Sequence, residues 1–227
     1  MKSYKEIFNS PRNFNSDKWE HYFDIYDHLL GRFYDSKINY LEIGVQNGGS
    51  LEIAKKLFSP ESLIIGMDID PNCKHLEGKV ANQIIIGSQI DGSVLSKLSS
   101  LAPLDVIIDD GSHIQSHMII TFFNLFPLLS QNGVYIIEDT HTNYSPEHQE
   151  SFLGIGLYDY FKGLSERLNI DFMNPYFRKE RYKLPINERP LVNQIPDIVR
   201  DIFSIEFFDS VIAIKKRTKI EPLRIRR

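Results

Sequence analysis

Leu41-Glu42-Ile43-Gly44-Val45-Gln46-Asn47-Gly48-Gly49-Ser50 is the stretch that decides the fold. An apolar run over residues 38–45 enters a glycine-rich turn. Residues 50–58 then carry Leu51, Ile53, Ala54, Leu57 and Phe58 on one side, so the stretch reads strand, turn, helix. Glycines at such a turn let backbone approach a ligand without side-chain collision. A dinucleotide fingerprint needs a second glycine two positions after Gly44, where this chain has Gln46. An NAD-dependent oxidoreductase is disfavoured, and what remains is an acidic-x-Gly-x-x-x-Gly turn built on Glu42, Gly44 and Gly48.

Working outward, the same alternation recurs. Residues 63–69, 83–86, 105–108 and 134–137 read as further strands. Residues 94–101 and 115–129 read as helices, the second closed by an Asn132-Gly133 turn. Residues 203–208 and 211–214, joined by Asp209-Ser210, read as a hairpin. Strands alternating with helices imply right-handed crossovers and a parallel sheet covered on both faces. The expected fold is therefore α/β and Rossmann-like, a mostly parallel seven-stranded sheet ending in an antiparallel hairpin. Residues 1–227 form one domain in this reading. Residues 1–36 make an N-terminal lid with an aromatic-rich helix over 17–33, and residues 145–200 make a substrate-loop insertion with a helix over 152–168.

The 227 residues are 42% hydrophobic and 25% charged, ordinary values for a chain with a sizeable core. A formal net charge of −4 argues against a nucleic-acid partner. The basic run from Lys215-Lys216-Arg217 to Arg226-Arg227 reads as a solvated tail. Cys73 is the only cysteine, which excludes an intramolecular disulfide and a cysteine-based zinc site and fits a reducing compartment. The polar N-terminus and the lack of any long apolar run make the cytoplasm the expected location, with no membrane partner. A homo-oligomer stays open.

In an open α/β sheet, ligands sit outside the carboxyl ends of the strands. The second strand ends Gly66-Met67-Asp68-Ile69-Asp70, where a carboxylate can accept from two ribose hydroxyls. Asp68 is the first candidate and Asp70 the second. Ser88-Gln89 closes the third strand and could meet an adenine edge. The glycine turn resembles that of class I methyltransferases. This resemblance implies S-adenosylmethionine as cofactor, with Glu42, Gly44, Asn47, Gly48 and Ser50 of the turn and Asp109 of the fourth strand joining Asp68, Asp70, Ser88 and Gln89 around it.

The fourth strand ends Asp109-Asp110-Gly111-Ser112-His113, and the fifth ends Glu138-Asp139-Thr140-His141-Thr142-Asn143-Tyr144. Neighbouring strand ends lie about 5 Å apart, so four carboxylates and two imidazoles would share one rim. Like charges at that spacing raise each other's pKa or recruit a cation. Oxygen ligands without cysteine favour Mg²⁺, with Mn²⁺ or Ca²⁺ as alternatives. The competing reading is that Asp109 or Asp110 caps the following helix. His113 and His141 could likewise be structural. Tyr176, Arg178, Lys179, Arg181 and Tyr182 either grip a nucleotide diphosphate or form a solvated loop face.

The pairing of Asp110-Gly111-Ser112-His113 with Glu138-Asp139-Thr140-His141-Thr142-Asn143-Tyr144 resembles the macrocin and mycinamicin sugar O-methyltransferases and the wider group with cephalosporin-hydroxylase-like methyltransferases. Ser16-Asp17-Lys18-Trp19-Glu20-His21-Tyr22, followed by Tyr26, is similar to the N-terminal Asp-Lys…His…Tyr segment of that family. The resemblance implies that Asp110, Glu138 and Asp139 hold Mg²⁺ and that His113 is the general base. His141, Tyr144, Tyr176, Arg178 and Arg181 become candidates for the acceptor, a sugar or nucleotide-sugar hydroxyl, with surface polysaccharide biosynthesis as a setting. A catechol-type small-molecule O-methyltransferase and a non-catalytic S-adenosylmethionine-binding module are the alternatives.

Overall fold

The computed structural model describes residues 2–172, 183–189 and 198–220. Seven strands form one sheet: β1 (Asn39–Ile43), β2 (Leu63–Asp68), β3 (Gln83–Ile86), β4 (Leu104–Asp109), β5 (Leu129–Ile137), β6 (Ile202–Phe208) and β7 (Val211–Lys216). Their order across the sheet is β3-β2-β1-β4-β5-β7-β6. β1 to β5 pair in parallel, and β7 runs antiparallel to both β5 and β6. The expected α/β sheet with its closing hairpin is present. β7 takes the inner place because Val211, Ile212, Ala213 and Ile214 are all buried, whereas β6 alternates and can tolerate the edge.

The strands divide two cores by their two-residue side-chain period. Tyr40, Ile64, Ile84, Ile108, Ile136 and Ala213 face a layer that includes α1 (Tyr4–Phe8), α2 (Tyr22–Leu30) and α3 (Gly49–Leu57). Leu41, Ile65, Ile107, Tyr135 and Ile212 face α4 (Gly92–Ser99), α5 (Gln115–Leu125) and α6 (Leu157–Arg167). The chain winds outward from β1 through β2 to β3, then returns to β4 on the other side of β1. The switch point lies between β1 and β4, where crossovers diverge and leave a crevice.

Several boundaries differ from those expected. The helix assigned to residues 17–33 begins only at Tyr22, because the preceding residues run without helix across the sheet's carboxyl edge. Ahead of it, α1 is closed by a Ser3–Glu6 capping box that hydrophobic periodicity does not register. The helix over 115–129 stops at Leu125, since Pro127 cannot continue the hydrogen-bond ladder and imposes a short 3₁₀ turn. Asn132-Gly133 lies inside β5, and the β4–β5 register shifts beside it. The helix expected over 152–168 starts five residues later, at Leu157 with Gly156 as its N-cap, after a small bridge between Phe152 and Ile155. Lys215 and Lys216 belong to β7 rather than to a frayed tail, with Lys216 Nζ donating to the Pro127 carbonyl at 2.7 Å. Among the described residues no helix is long and apolar enough to cross a membrane.

Candidate active site

A cleft of about 670 Å³ opens at the carboxyl edge of the sheet, over the tips of β1, β2, β3, β4 and β5. One wall is the turn after β1. Gly44 has φ +84°, and a Cβ there would overlap the Asp110 carbonyl. The glycine thus lets the tips of β1 and β4 close on one another, as Asp110 N–H donates to the Ile43 carbonyl at 3.0 Å. Gly48 also has positive φ, with Leu76 and Val80 where a side chain would stand, so its place is in packing behind the cleft. Asn47 and Ser50 line the cleft, whereas Glu42 is buried beneath it and accepts from the hydroxyls of Ser50 and Tyr40.

Asp68 lines the cleft at the tip of β2. Its Oδ2 accepts from Val45 N–H and Gln46 N–H, each at 2.9 Å, and its Oδ1 accepts from Asp70 N–H at 2.9 Å. The carboxylate therefore shapes the glycine turn, and it keeps lone-pair capacity toward the cleft. Asp70 is exposed and caps a 3₁₀ turn, Pro71–Leu76, through Asn72 N–H. Ser88 and Gln89 line the cleft beyond. The Gln89 amide is committed to the fold: its Nε2 donates to Asp109 and Thr121, and its Oε1 accepts from Ser112 N–H at 2.8 Å.

Adjacent strand residues point to opposite faces, and this divides the acids. Asp109 turns into the core, where Gln89 and the Tyr135 hydroxyl hold it and burial raises its pKa to about 7. Asp110 faces the cleft. Glu138 is buried, its Oε2 accepting from Lys18 Nζ at 2.6 Å and its Oε1 from the Tyr26 hydroxyl. Burial and the nearby Asp110 push its pKa up, against the opposing pull of Lys18. Asp139 faces the cleft and accepts from the Tyr22 hydroxyl at 2.6 Å.

Asp110, His113 and Asp139 form the group of three, among the described residues, whose ligand atoms all lie within 4.8 Å of one another. Two carboxylates and an imidazole are a donor set that suits a hard or borderline divalent cation. Three carboxylates, Asp110, Glu138 and Asp139, crowd the two strand tips, and Lys18 is the ammonium that bridges two of them. The residual negative charge fits the same ion. Glu138, expected as a third carboxylate ligand, is not in this group of three, and its oxygens accept from Lys18 and Tyr26.

His113 is the other reactive group of the rim. Burial lowers its pKa and outweighs the neighbouring carboxylates, so the ring is neutral near pH 7. Its Nδ1 is buried without a hydrogen-bond partner, and its Nε2 stands 3.9 Å from Asp110 Oδ1. His113 (φ 56°), Asp139 (φ 51°) and Gln46 (φ 44°), all on the cleft lining, hold left-handed backbone conformations. His141 also lines the cleft, tied to Ser210 through Nδ1 at 2.5 Å. Tyr144 is 77% exposed and stacks on Tyr158 outside the cleft lining. Tyr176, Arg178 and Arg181, with Lys179 and Tyr182, lie outside the described residues.

Sequence reasoning assigned no role to Lys18, Tyr22 or Tyr26. In the structure each holds one or two of the strand-tip acids. Their four-residue spacing was the available signal, since it sets three polar groups along one side of a helix and its N-terminal approach. Ser112 and His117 were also missed; Ser112 Oγ and His117 Nδ1 are 2.9 Å apart on the cleft wall.

No family model matches the chain. It is 35% identical to 8-demethyl-8-alpha-L-rhamnosyl tetracenomycin-C 2'-O-methyltransferase of Streptomyces olivaceus over 147 residues, 60% of this chain and 38% of that protein. It is 35% identical to demethylmacrocin O-methyltransferase of Streptomyces fradiae over 129 residues, 53% of this chain and 32% of that protein. Among solved structures, the MycE methyltransferase of the mycinamycin biosynthetic pathway, in complex with Mg and SAH, superposes with a TM-score of 0.73 at 26% identity. That match covers 96% of this chain and 55% of the MycE chain. The chain thus spans a little over a third of the first curated relative it matches. The resemblance read from the two strand-end sequences is borne out, and the fold is that of the Rossmann-like class I methyltransferases.

Proposed function

We propose that this chain is the catalytic domain of an S-adenosylmethionine-dependent O-methyltransferase that acts, with a divalent cation, on a sugar hydroxyl. The observation that carries the reading is the meeting of two sets of groups in one cleft. Asp68 and the glycine turn line one part, and Asp110, His113 and Asp139 line another. Curated relatives that act on sugars of polyketide glycosides support a sugar within a glycoside as the acceptor over a nucleotide-linked sugar or a surface polysaccharide.

In this reading Asp68, Asn47 and Ser50 bind the donor, and Asp110 and Asp139 are the residues that would hold Mg²⁺. A bound divalent cation would lower the cost of ionising a sugar hydroxyl. His113, kept neutral by burial, takes the hydroxyl proton at Nε2. S-adenosylmethionine, held by Asp68, Asn47 and Ser50, would supply the methyl group to the deprotonated acceptor oxygen and leave as S-adenosylhomocysteine. Tyr22 orients the cleft-facing Asp139, and the Gln89 amide holds the Ser112–His113 turn through Ser112 N–H. Orientation of this kind supplies much of the rate in a two-substrate transfer.

Transfer of radiolabelled methyl from S-adenosylmethionine to a panel of glycosides and nucleotide sugars tests the reading. Label should appear on a glycoside sugar, vanish in EDTA and return with Mg²⁺. Tighter binding of NAD than of S-adenosylmethionine in a calorimetric titration would sink it.

A further inference from the structure

The three carboxylates at the tips of β4 and β5 are all gripped by one stretch of chain far away in sequence. Lys18 Nζ donates to Asp110 Oδ2 at 2.5 Å and to Glu138 Oε2 at 2.6 Å, with a side chain only 6% exposed. Tyr22 donates to Asp139, and Tyr26 to Glu138. The stretch ahead of Tyr22 is also part of the cleft. Asn15, Ser16, Asp17, Lys18 and Trp19 line it beside the glycine turn. Its backbone lies so close to α3 that a Cβ on Gly49 would overlap Asn15. Glu52 Oε2 pins it further back by accepting from Asn13 N–H at 2.9 Å and Phe14 N–H at 3.0 Å.

Three of these contacts differ in charge, and that difference matters. Tyr22 and Tyr26 are neutral donors within α2 and can remain beside a cation. Lys18 is a full positive charge on a segment without helix, bonded to Asp110, one of the two carboxylates that would hold a divalent ion. Two like charges served by one carboxylate in a partly buried site repel strongly, because little water screens them.

We propose that residues 13–21 form a cation-coupled strap: Lys18 is the built-in counter-ion of the strand-tip acids, and a divalent ion taken up by Asp110 and Asp139, beside His113, loosens Lys18 and with it the cover over the donor cleft. The inference rests on the reading of this rim as a divalent-cation centre. It assigns Lys18 a positioning role. Lys18 keeps the acids together when no ion is bound, makes cation binding weaker than the bare carboxylates would give, and ties ion occupancy to access for the donor. The strap hinges at the Glu20-His21 turn, since Tyr22 is anchored in α2.

Two measurements decide it. Mn²⁺ is titrated into the wild-type chain and into Lys18→Met and Lys18→Arg, with free Mn²⁺ followed by electron paramagnetic resonance. Lys18→Met should bind Mn²⁺ at least tenfold more tightly than wild type, and Lys18→Arg, which keeps the charge, within about twofold of it. Hydrogen exchange of the wild-type chain with and without Mg²⁺ supplies a readout that needs no variant and stands if Lys18→Met fails to fold. The amides of Asn13 and Phe14 should exchange faster with Mg²⁺, while those of β1 and β4 hold. Equal or weaker Mn²⁺ binding by Lys18→Met, or a strap whose exchange is unchanged or slowed by Mg²⁺, overturns the strap and leaves the cation centre standing. A wild-type chain that binds no Mn²⁺ removes both.

Discussion

Lys18 Nζ lies 2.6 Å from Glu138 Oε2, and 120 residues of chain separate the two. The pair is almost sealed from solvent, with side chains 6% and 1% exposed. Removing the ammonium leaves Glu138 and Asp110 buried near one another without their shared cation, which costs about 3 kcal/mol in a buried pair. Lys18→Met should therefore lower the unfolding free energy by about that amount in EDTA, measured by urea denaturation. A loss below about 1 kcal/mol would mean that the bridge contributes no more than a surface pair.

Gly44 offers a test of how the two central strand tips meet. Its φ of +84° and the Asp110 carbonyl leave no room for a methyl group. Gly44→Ala should destabilise the domain by about 1–3 kcal/mol and displace Asp110. Calorimetric titration of S-adenosylmethionine should show the affinity falling together with the melting temperature; undiminished affinity would show that the turn can relax.

Gln89 braces Asp109, Thr121 and the Ser112 amide at once. Truncation to Ala strands the Ser112 backbone donor, worth about 1–3 kcal/mol, and takes one of its partners from the buried Asp109 carboxylate. Gln89→Ala should lose about 2 kcal/mol or more of stability and loosen the His113 turn, seen as faster amide exchange at Ser112. Gln89→Glu, which keeps the acceptor but adds a charge beside Asp109, should fare no better.

Asp139→Asn and His113→Gln separate holding from proton transfer. Under the proposed function, Asp139→Asn should weaken Mn²⁺ binding at least tenfold while S-adenosylmethionine still binds. His113→Gln should cut kcat by about 10²–10⁴ while leaving donor affinity in place. If His113→Gln turned over as fast as the wild type, the base would have to be sought elsewhere on the rim.

The fold was legible because its signals are local. Each strand is a short apolar run bounded by a turn, and the Asp209-Ser210 turn betrayed the hairpin. What failed was also local in cause: Pro127 cut α5 short, and residues 17–21 gave up helix to reach the strand tips. The rim acids were legible from their positions at the ends of β4 and β5. Their inward or outward aim was not, since consecutive carboxylates look alike in sequence while the pleat sends Asp109 to Tyr135 and Asp110 to the cleft. The spacing of Lys18, Tyr22 and Tyr26 was visible, but not the partners of Lys18, which stand 92 and 120 positions away with no periodicity to link them.

The hairpin between β6 and β7 reaches further than sheet closure. Ser210 accepts from Thr140 N–H through its carbonyl and bonds His141 through its hydroxyl, and the same carbonyl receives the Tyr22 hydroxyl. During vectorial synthesis, a nascent chain that has released everything up to Arg200 still lacks the prop beneath its own catalytic rim. Under the proposed function, donor binding should therefore arise only once this late segment has slid in beside β5.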